Sequence, residues 1–409
     1  MTRHTKWINR LKAAAIGIGL ALSALTVRHW YGTFMVGHPP CADCRADFPG
    51  FYTAARLIWQ APDRLYAYDD QLAIQKTIDG RIGNSILPFA YPPFTAMVLM
   101  PLGWLSFRSA FIAMTLANGL LLAAILRSLF QRLDLGKEGK TWLLLSAFCN
   151  AGVHTVMLQG QTSLMLLFVL TGFMLSMSRQ KDSAGFWAGM VFLKPQLLAV
   201  PFIALFFQRR WRAFLIATMV LATLCALSVL VVGTGAIAEY LGLLQFYGTT
   251  ESGFGSYPKD MHNLRALVQY LVAFEHARYL WLGLVAPIGI SAMWMNTRAR
   301  GEAAWCPLWI GNFMAITLLT PHLYLHDLAF LIVPCALVLK LRRESPSPLL
   351  CLSLILLGVL PILSSLFATA VPPIMPFILL AGFLWSLYSV RRAAAPVEKE
   401  RPRSFFGWE

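Results

Sequence analysis

Charge is what this sequence has least of. Asp, Glu, Lys and Arg make up 13% of its 409 residues, about half the share found in an ordinary soluble domain. A water-soluble fold needs polar surface over its core, and a chain this poor in charge cannot supply it, so a soluble globular protein is excluded. Acidic residues are the scarcer sign, 19 against 34 basic ones, giving a net charge of +15. Cysteine is sparse too: seven residues, five of them in or beside apolar segments, which excludes a disulfide-built scaffold. Only Cys41 and Cys44 lie close together, as Cys-x-x-Cys. No further ligands stand near them to complete a zinc set. They are either a local disulfide, if their loop lies outside the cytoplasm, or two plain thiols.

Apolar length is what the chain has in excess. Hydrophobic residues make up 57% of it and the mean hydropathy is +0.61. Apolar runs of about 18 to 22 residues recur along its length and match the thickness of a bilayer core. The basic residues cluster in the short loops between these runs, as cytoplasmic loops do. The positive charge is therefore topological, and no basic soluble module is present that would bind nucleic acid.

The runs give a topology. The basic N-terminus precedes an apolar stretch, Ala13 to Val27, that reads as a first transmembrane helix rather than a cleaved signal peptide. Residues 34–90 form a first extracytoplasmic loop carrying interfacial helices, and the short apolar stretch Pro93 to Leu105 follows it. Crossings then fall at Arg108 to Leu129, Trp142 to Leu158, Thr162 to Met177, Leu215 to Val232, Tyr279 to Met295, Trp305 to Leu319, Leu328 to Leu339, Leu349 to Phe367 and Ile374 to Tyr388. Residues 234–263 are expected as a second extracytoplasmic loop, and 391–409 as a flexible cytoplasmic tail. The expected protein is an all-α polytopic bundle of about 10 to 12 transmembrane helices in one domain, residues 1–390, with both termini in the cytoplasm.

One segment breaks the pattern. Phe186 to Phe207 has Lys194-Pro195 at its middle and basic clusters on both flanks, Arg179 to Lys181 and Arg209 to Arg212. A single crossing would place one cluster outside. A helix broken at the proline, entering and turning back, keeps both inside. Lys194 then sits at the break. A buried ammonium needs an anionic partner or water. No carboxylate lies within a helical turn in sequence, leaving a phosphate or a distant carboxylate from another helix.

This topology collects polar residues on the outer face. Asp43, Asp47, Tyr52, Tyr91, Gln159, Gln161, His322 and His326 all fall there, with Lys194. Tyr52 and Arg56 lie one turn apart on one helix face. Tyr91-Pro92-Pro93 fixes a rigid approach to the next helix. Gln159-Gly160-Gln161 reads as a tight turn whose amides either bind sugar hydroxyls or satisfy backbone groups. His322 and His326 are four apart. That spacing suits zinc, yet no third ligand is evident; hydrogen bonding to a phosphate or sugar and plain interfacial histidines are the alternatives. Asp47, taken alone, is a helix cap, a solvated charge or a catalytic carboxylate.

The order of these pieces resembles glycosyltransferase family 87, membrane enzymes of the GT-C superfamily. The resemblance rests on Asp47 with Phe51-Tyr52 and Ala54-Ala55, then Leu65-Tyr66, Tyr91-Pro92-Pro93, Gly160-Gln161, Lys194-Pro195 and His326-Asp327. It implies hexosyl transfer, mannosyl by family default, from a polyprenyl-phosphate sugar to a lipid or glycan acceptor, on the extracytoplasmic face of the plasma (inner) membrane. It implies Asp47 as catalytic base. Lys194, with His326 and His322, is then expected at the donor phosphate, and Tyr52, Arg56, Tyr91, Gln159 and Gln161 at the substrates. The scheme calls for no metal or other cofactor, since a lipid phosphate carries the sugar. The outer loops hold no Asp-x-Asp of the kind that binds a metal–nucleotide sugar. The competing readings are a transporter or flippase of a lipid-linked or small substrate, and a non-catalytic membrane subunit that retains the fold and binds a lipid. A broken helix suits a transporter too, although no internal repeat is visible between the halves.

Overall fold

The structure, a computed structural model, describes residues 3–34, 47–78, 86–249, 260–342, 347–366 and 373–394. Regular structure among the described residues is helical throughout. A long first helix, α1 (Arg3–Phe34), precedes two short ones in the expected first loop, α2 (Phe48–Gln60) and α3 (Tyr68–Ile78). Pro49 lies in the first turn of α2, where its missing N–H leaves no bond unmade. Next come α4 (Pro93–Leu99) and α5 (Phe107–Arg132), the latter begun by Ser106, whose hydroxyl accepts from the Ser109 N–H.

The following apolar run does not form one straight rod. Asn150 caps a new helix, its side chain accepting from the Val153 N–H at 3.1 Å. The run therefore divides into α6 (Gly136–Phe148) and α7 (Ala151–Gln159), bent by 47°. After α8 (Ser163–Ser178) the chain breaks as expected: α9 (Ser183–Met190) ends in the short turn Val191–Leu193, Lys194 leaves helical geometry at φ −142°, ψ 84°, and α10 (Ala199–Phe207) resumes after Pro195–Leu197.

The remaining helices are α11 (Trp211–Thr249), α12 (Leu264–Leu271), α13 (Phe274–Arg298), α14 (Gly301–Leu319), α15 (Ile332–Leu341), α16 (Pro348–Leu366) and α17 (Met375–Ala394). The second expected outer loop is largely helix: α11 continues past a break at Gly233 to Thr249, and residues 250–259 lie outside the described residues. Gly233-Thr234-Gly235 reads locally as a turn, but it interrupts the helix without ending it. The expected tail also begins later, since α17 holds 391–394, and 395–409 lie outside the described residues. Asp43, Cys41 and Cys44 lie outside them too.

Among the described residues, five helices, α1, α5, α11, α13 and α17, are long and apolar enough to cross a membrane, with a sixth span if the bent α6–α7 pair counts as one. The other apolar segments among the described residues are shorter helices, and the all-helical, multi-span architecture with a broken pair agrees with the expected polytopic bundle. In the five, no more than 28% of each apolar stretch is buried inside the protein. Leu116, Leu120, Leu215, Leu230 and Ile290 point outward, from 61% to 79% exposed. Apolar surface on that scale belongs against lipid. This is a multi-pass membrane protein.

Two cores form inside. The larger joins α6 to α10 with α13 to α17, and α14 is buried on nearly every face. The smaller packs α2 with Leu65, Phe89, α4 and α5 against Val232, Ala236 and Tyr240 of α11. The first-loop helices are thereby fixed over the bundle, and the start of α2 meets the α7–α8 turn.

Candidate active site

Asp47 stands at the head of α2. Its carbonyl accepts from the N–H groups of Gly50 and Phe51, while its carboxylate makes no cap bond to its own helix. The carboxylate instead accepts a hydrogen bond from Gln161 Nε2. Gly160 makes that meeting possible. It closes α7 in the left-handed conformation, φ 61°, ψ 40°, and a side chain there would come within 2.7 Å of the Phe48 ring. Gln161 is itself held by Asn118, which donates to its carbonyl at 3.0 Å, and its side-chain oxygen accepts from the Thr162 N–H at 3.2 Å.

Asp47 is only half-buried by surface area, yet its carboxylate is pushed up to about 6. Burial is the main cause and Asp327 adds to it, against the opposing effects of Gln161 and Lys194. A carboxylate so placed is ionised at neutral pH and ready to take a proton.

Lys194 has found the distant carboxylate. Its ammonium bonds both oxygens of Asp327, at 2.8 and 2.7 Å. Both side chains are inside, 5% and 0% exposed. Asp327 also accepts from the Ser163 hydroxyl at 2.8 Å and from the Tyr324 N–H at 3.3 Å. Burial acts to raise its pKa; Lys194, His326 and Ser163 outweigh that and hold it below its ordinary value. Gly152 lets α7 lie against this segment, since a Cβ there would come within 2.5 Å of the Ala329 nitrogen. On the other side the Thr95 hydroxyl of α4 donates to the Leu193 carbonyl at 3.0 Å and fixes the break beside Lys194.

The histidines line the same place. His326 Nδ1 donates to Gln159 Oε1 at 3.1 Å, and its Nε2 lies 3.7 Å from Asp327. Burial brings His326 down to about 4 despite that carboxylate. His322 is brought down to about 3 by burial, then by Arg265 and Lys194. His262, whose N–H donates to the Leu323 carbonyl at 2.8 Å, is brought to about 4 by burial and His326. All three are neutral at physiological pH. Among the described residues, no group of three or more His, Cys, Asp or Glu is placed to hold a metal ion.

Of the residues singled out in sequence, Asp47, Gln161, Lys194, Gln159, His326 and His322 therefore converge. Tyr91 joins them: its ring packs on Phe51 at 5.1 Å, and its hydroxyl meets Thr162 within the influence of both Asp47 and Asp327. Tyr52 and Arg56 do share one helix face, but they turn elsewhere. The Tyr52 hydroxyl donates to the Leu105 carbonyl at 2.9 Å, and the Arg56 guanidinium lies 6.0 Å from the Tyr52 ring. Sequence reasoning gave no role to Asp327, Ser163, His262 or Arg265. A signal existed for Asp327, the only acidic residue between Glu302 and Glu344.

The sequence model of glycosyltransferase family 87 matches residues 89–321, more than half of the chain. The matched stretch contains Tyr91, Gln159, Gln161, Lys194 and Arg265, whereas Asp47, Tyr52, Arg56, His322 and His326 lie outside it. No curated protein and no solved structure matches the chain.

Proposed function

The chain belongs to glycosyltransferase family 87, and on that premise we propose that it moves a hexosyl group, mannosyl first among candidates, from a polyprenyl-phosphate sugar to a lipid or glycan acceptor. Residues 1–390 act as one unit, in the plasma (inner) membrane, with both termini cytoplasmic and Asp47 facing the extracytoplasmic side. Transfer proceeds with inversion. The acceptor hydroxyl attacks the anomeric carbon and gives its proton to Asp47 as the new C–O bond forms. The bond from the anomeric carbon to the phosphate oxygen breaks, its electron pair leaves with the phosphate, and lipid phosphate departs.

The observation that carries this reading is the meeting of Asp47, its proton affinity raised to about 6 by burial, with the cluster around Lys194. A base near that value stays ionised at pH 7 yet accepts a proton readily. Gln161 orients it. Lys194, His326 and His322 lie where the leaving phosphate is stabilised by groups already in place, and Gln159 and Tyr91 border the substrate space. Tyr52 and Arg56 support α2 at a remove.

The test is transfer from synthetic polyprenyl-phosphate mannose by membranes holding the wild type or Asp47→Asn. General-base catalysis is worth about 10²- to 10⁴-fold, and the variant is expected to lose a rate of that order while keeping its fold. Equal rates in both would remove Asp47 as the base.

A further inference from the structure

Lys194 cannot by itself answer the charge of a leaving phosphate. Its ammonium is already neutralised by Asp327, which binds it through both oxygens in a buried pair. The three histidines nearby are uncharged. A lipid-phosphate sugar brings one negative charge as a phosphodiester, and the departing monoester carries about −1.5 to −2. Something else in the cluster must carry positive charge.

Arg265 meets that need. It sits in the first turn of α12, behind Asn263, which begins the helix by accepting from the Ala266 N–H at 3.1 Å and fastens it by donating to the Thr320 carbonyl at 2.7 Å. The guanidinium is partly buried. Its hydrogen-bond contacts among the described residues are with uncharged acceptors at the limit of hydrogen bonding: His322 Nε2 at 3.4 Å and the Tyr247 carbonyl at 3.4 Å. Among the described residues no carboxylate pairs with it. Because arginine only donates, His322 Nε2 must accept, which puts the histidine proton on Nδ1. His322 feels both Arg265 and Lys194, so both cations lie near it.

Resting on the donor chemistry set out above, we propose that Arg265 is the cation that binds the donor phosphate and holds it as it leaves, with His322 fixing the guanidinium. Its planar fork suits two phosphate oxygens at once. Lys194, locked to Asp327, shapes the floor of the same place.

The alternative is structural, since Arg265 reaches a carbonyl in the last turns of α11. Arg265→Gln and Arg265→Lys separate the two. Each would be assayed for donor KM, acceptor KM, inhibition by a short-chain polyprenyl phosphate, and melting temperature in detergent. Arg265→Gln is expected to weaken both donor KM and product inhibition by about tenfold to a hundredfold, the worth of a charged hydrogen bond. Acceptor KM and melting temperature stay near wild type, and Arg265→Lys regains part of the loss. Wild-type donor KM and product inhibition in Arg265→Gln would overturn this role alone. So would a fallen melting temperature with no partial return in Arg265→Lys. A wild type that transfers nothing from polyprenyl-phosphate sugars would overturn the donor chemistry and this role with it.

Discussion

Replacing Gln161 with methionine should move the pH dependence of the enzyme in a calculable direction. Gln161 donates to the Asp47 carboxylate, and such a bond favours the charged form. Removing it leaves burial to act with less opposition, so the proton affinity of Asp47 rises. A hydrogen bond to a charged group contributes about 1.5–3 kcal/mol, equivalent to about one to two pH units. The base must be ionised to act, so activity falls as pH drops through its pKa. With Asp47 as the proposed base, that fall should be centred near pH 6 in the wild type. In Gln161→Met it should be centred about one to two pH units higher, cutting the ionised fraction at pH 7 from roughly nine-tenths to between a tenth and a half.

The assay is kcat/KM for the donor from pH 5 to pH 9.5, because that quantity reports the free enzyme. The neighbouring histidines do not confuse it. His322, His326 and His262 titrate at about 3, 4 and 4, below the window. Gln161→Met should therefore lose about two- to tenfold at pH 7 and return toward wild type in alkali. A loss equal at every pH would refute the reasoning, because it would make Gln161 a packing residue only. An acid limb that stays near pH 6 would refute the link between Gln161 and Asp47.

Three further outcomes follow from the same geometry. Asp47→Asn should melt no lower than wild type at pH 7 in detergent, because burial opposes the charge it removes; at lower pH, as native Asp47 takes up its proton near 6, any advantage of the variant should shrink. Asp327→Ala strands the Lys194 ammonium and should lower stability by about 3–5 kcal/mol, whereas the double variant Lys194→Met/Asp327→Leu should recover most of that loss in denaturation; a double variant as unstable as the single one would show the pair to be net stabilising. Gly160→Ala forces a side chain into the left-handed conformation and against Phe48, costing about 1–2 kcal/mol for the backbone alone, and Phe48→Ala in the same chain should relieve only the steric part.

What the sequence made legible follows the range of the forces involved. Apolar runs and basic loops act locally, so the helical membrane class could be read directly. The break at Lys194-Pro195 could be read as well, because proline and a charge interrupt a helix where they stand. The bend at Asn150 could not: it lies within an unbroken apolar run, and only the cap on Val153 shows that the helix restarts. α11 hid in the opposite way, since Gly233-Thr234-Gly235 looks like a loop and tertiary packing carries the helix on. The pairing of Tyr52 with Arg56 was correctly placed on one face, but periodicity does not say which way that face turns, and it turns to Leu105. Above all, the partner of Lys194 lies 133 residues away, a distance no local pattern crosses.

That long-range pair explains why Asp47 is poised where it is. Lys194 draws the Asp47 proton affinity down and Asp327 pushes it up. A bidentate ion pair acts on a third group as a dipole, and its field falls off faster than that of either charge. Burial is then left as the largest influence on Asp47, with Gln161 as the moderating hydrogen bond. A lone lysine in the same position would hold Asp47 ionised to lower pH and make it a poorer base. A lone aspartate would raise it until it was protonated at neutral pH. Closing Lys194 onto Asp327 avoids both, and the positive charge that the proposed transfer requires would then sit apart from Asp47, on Arg265.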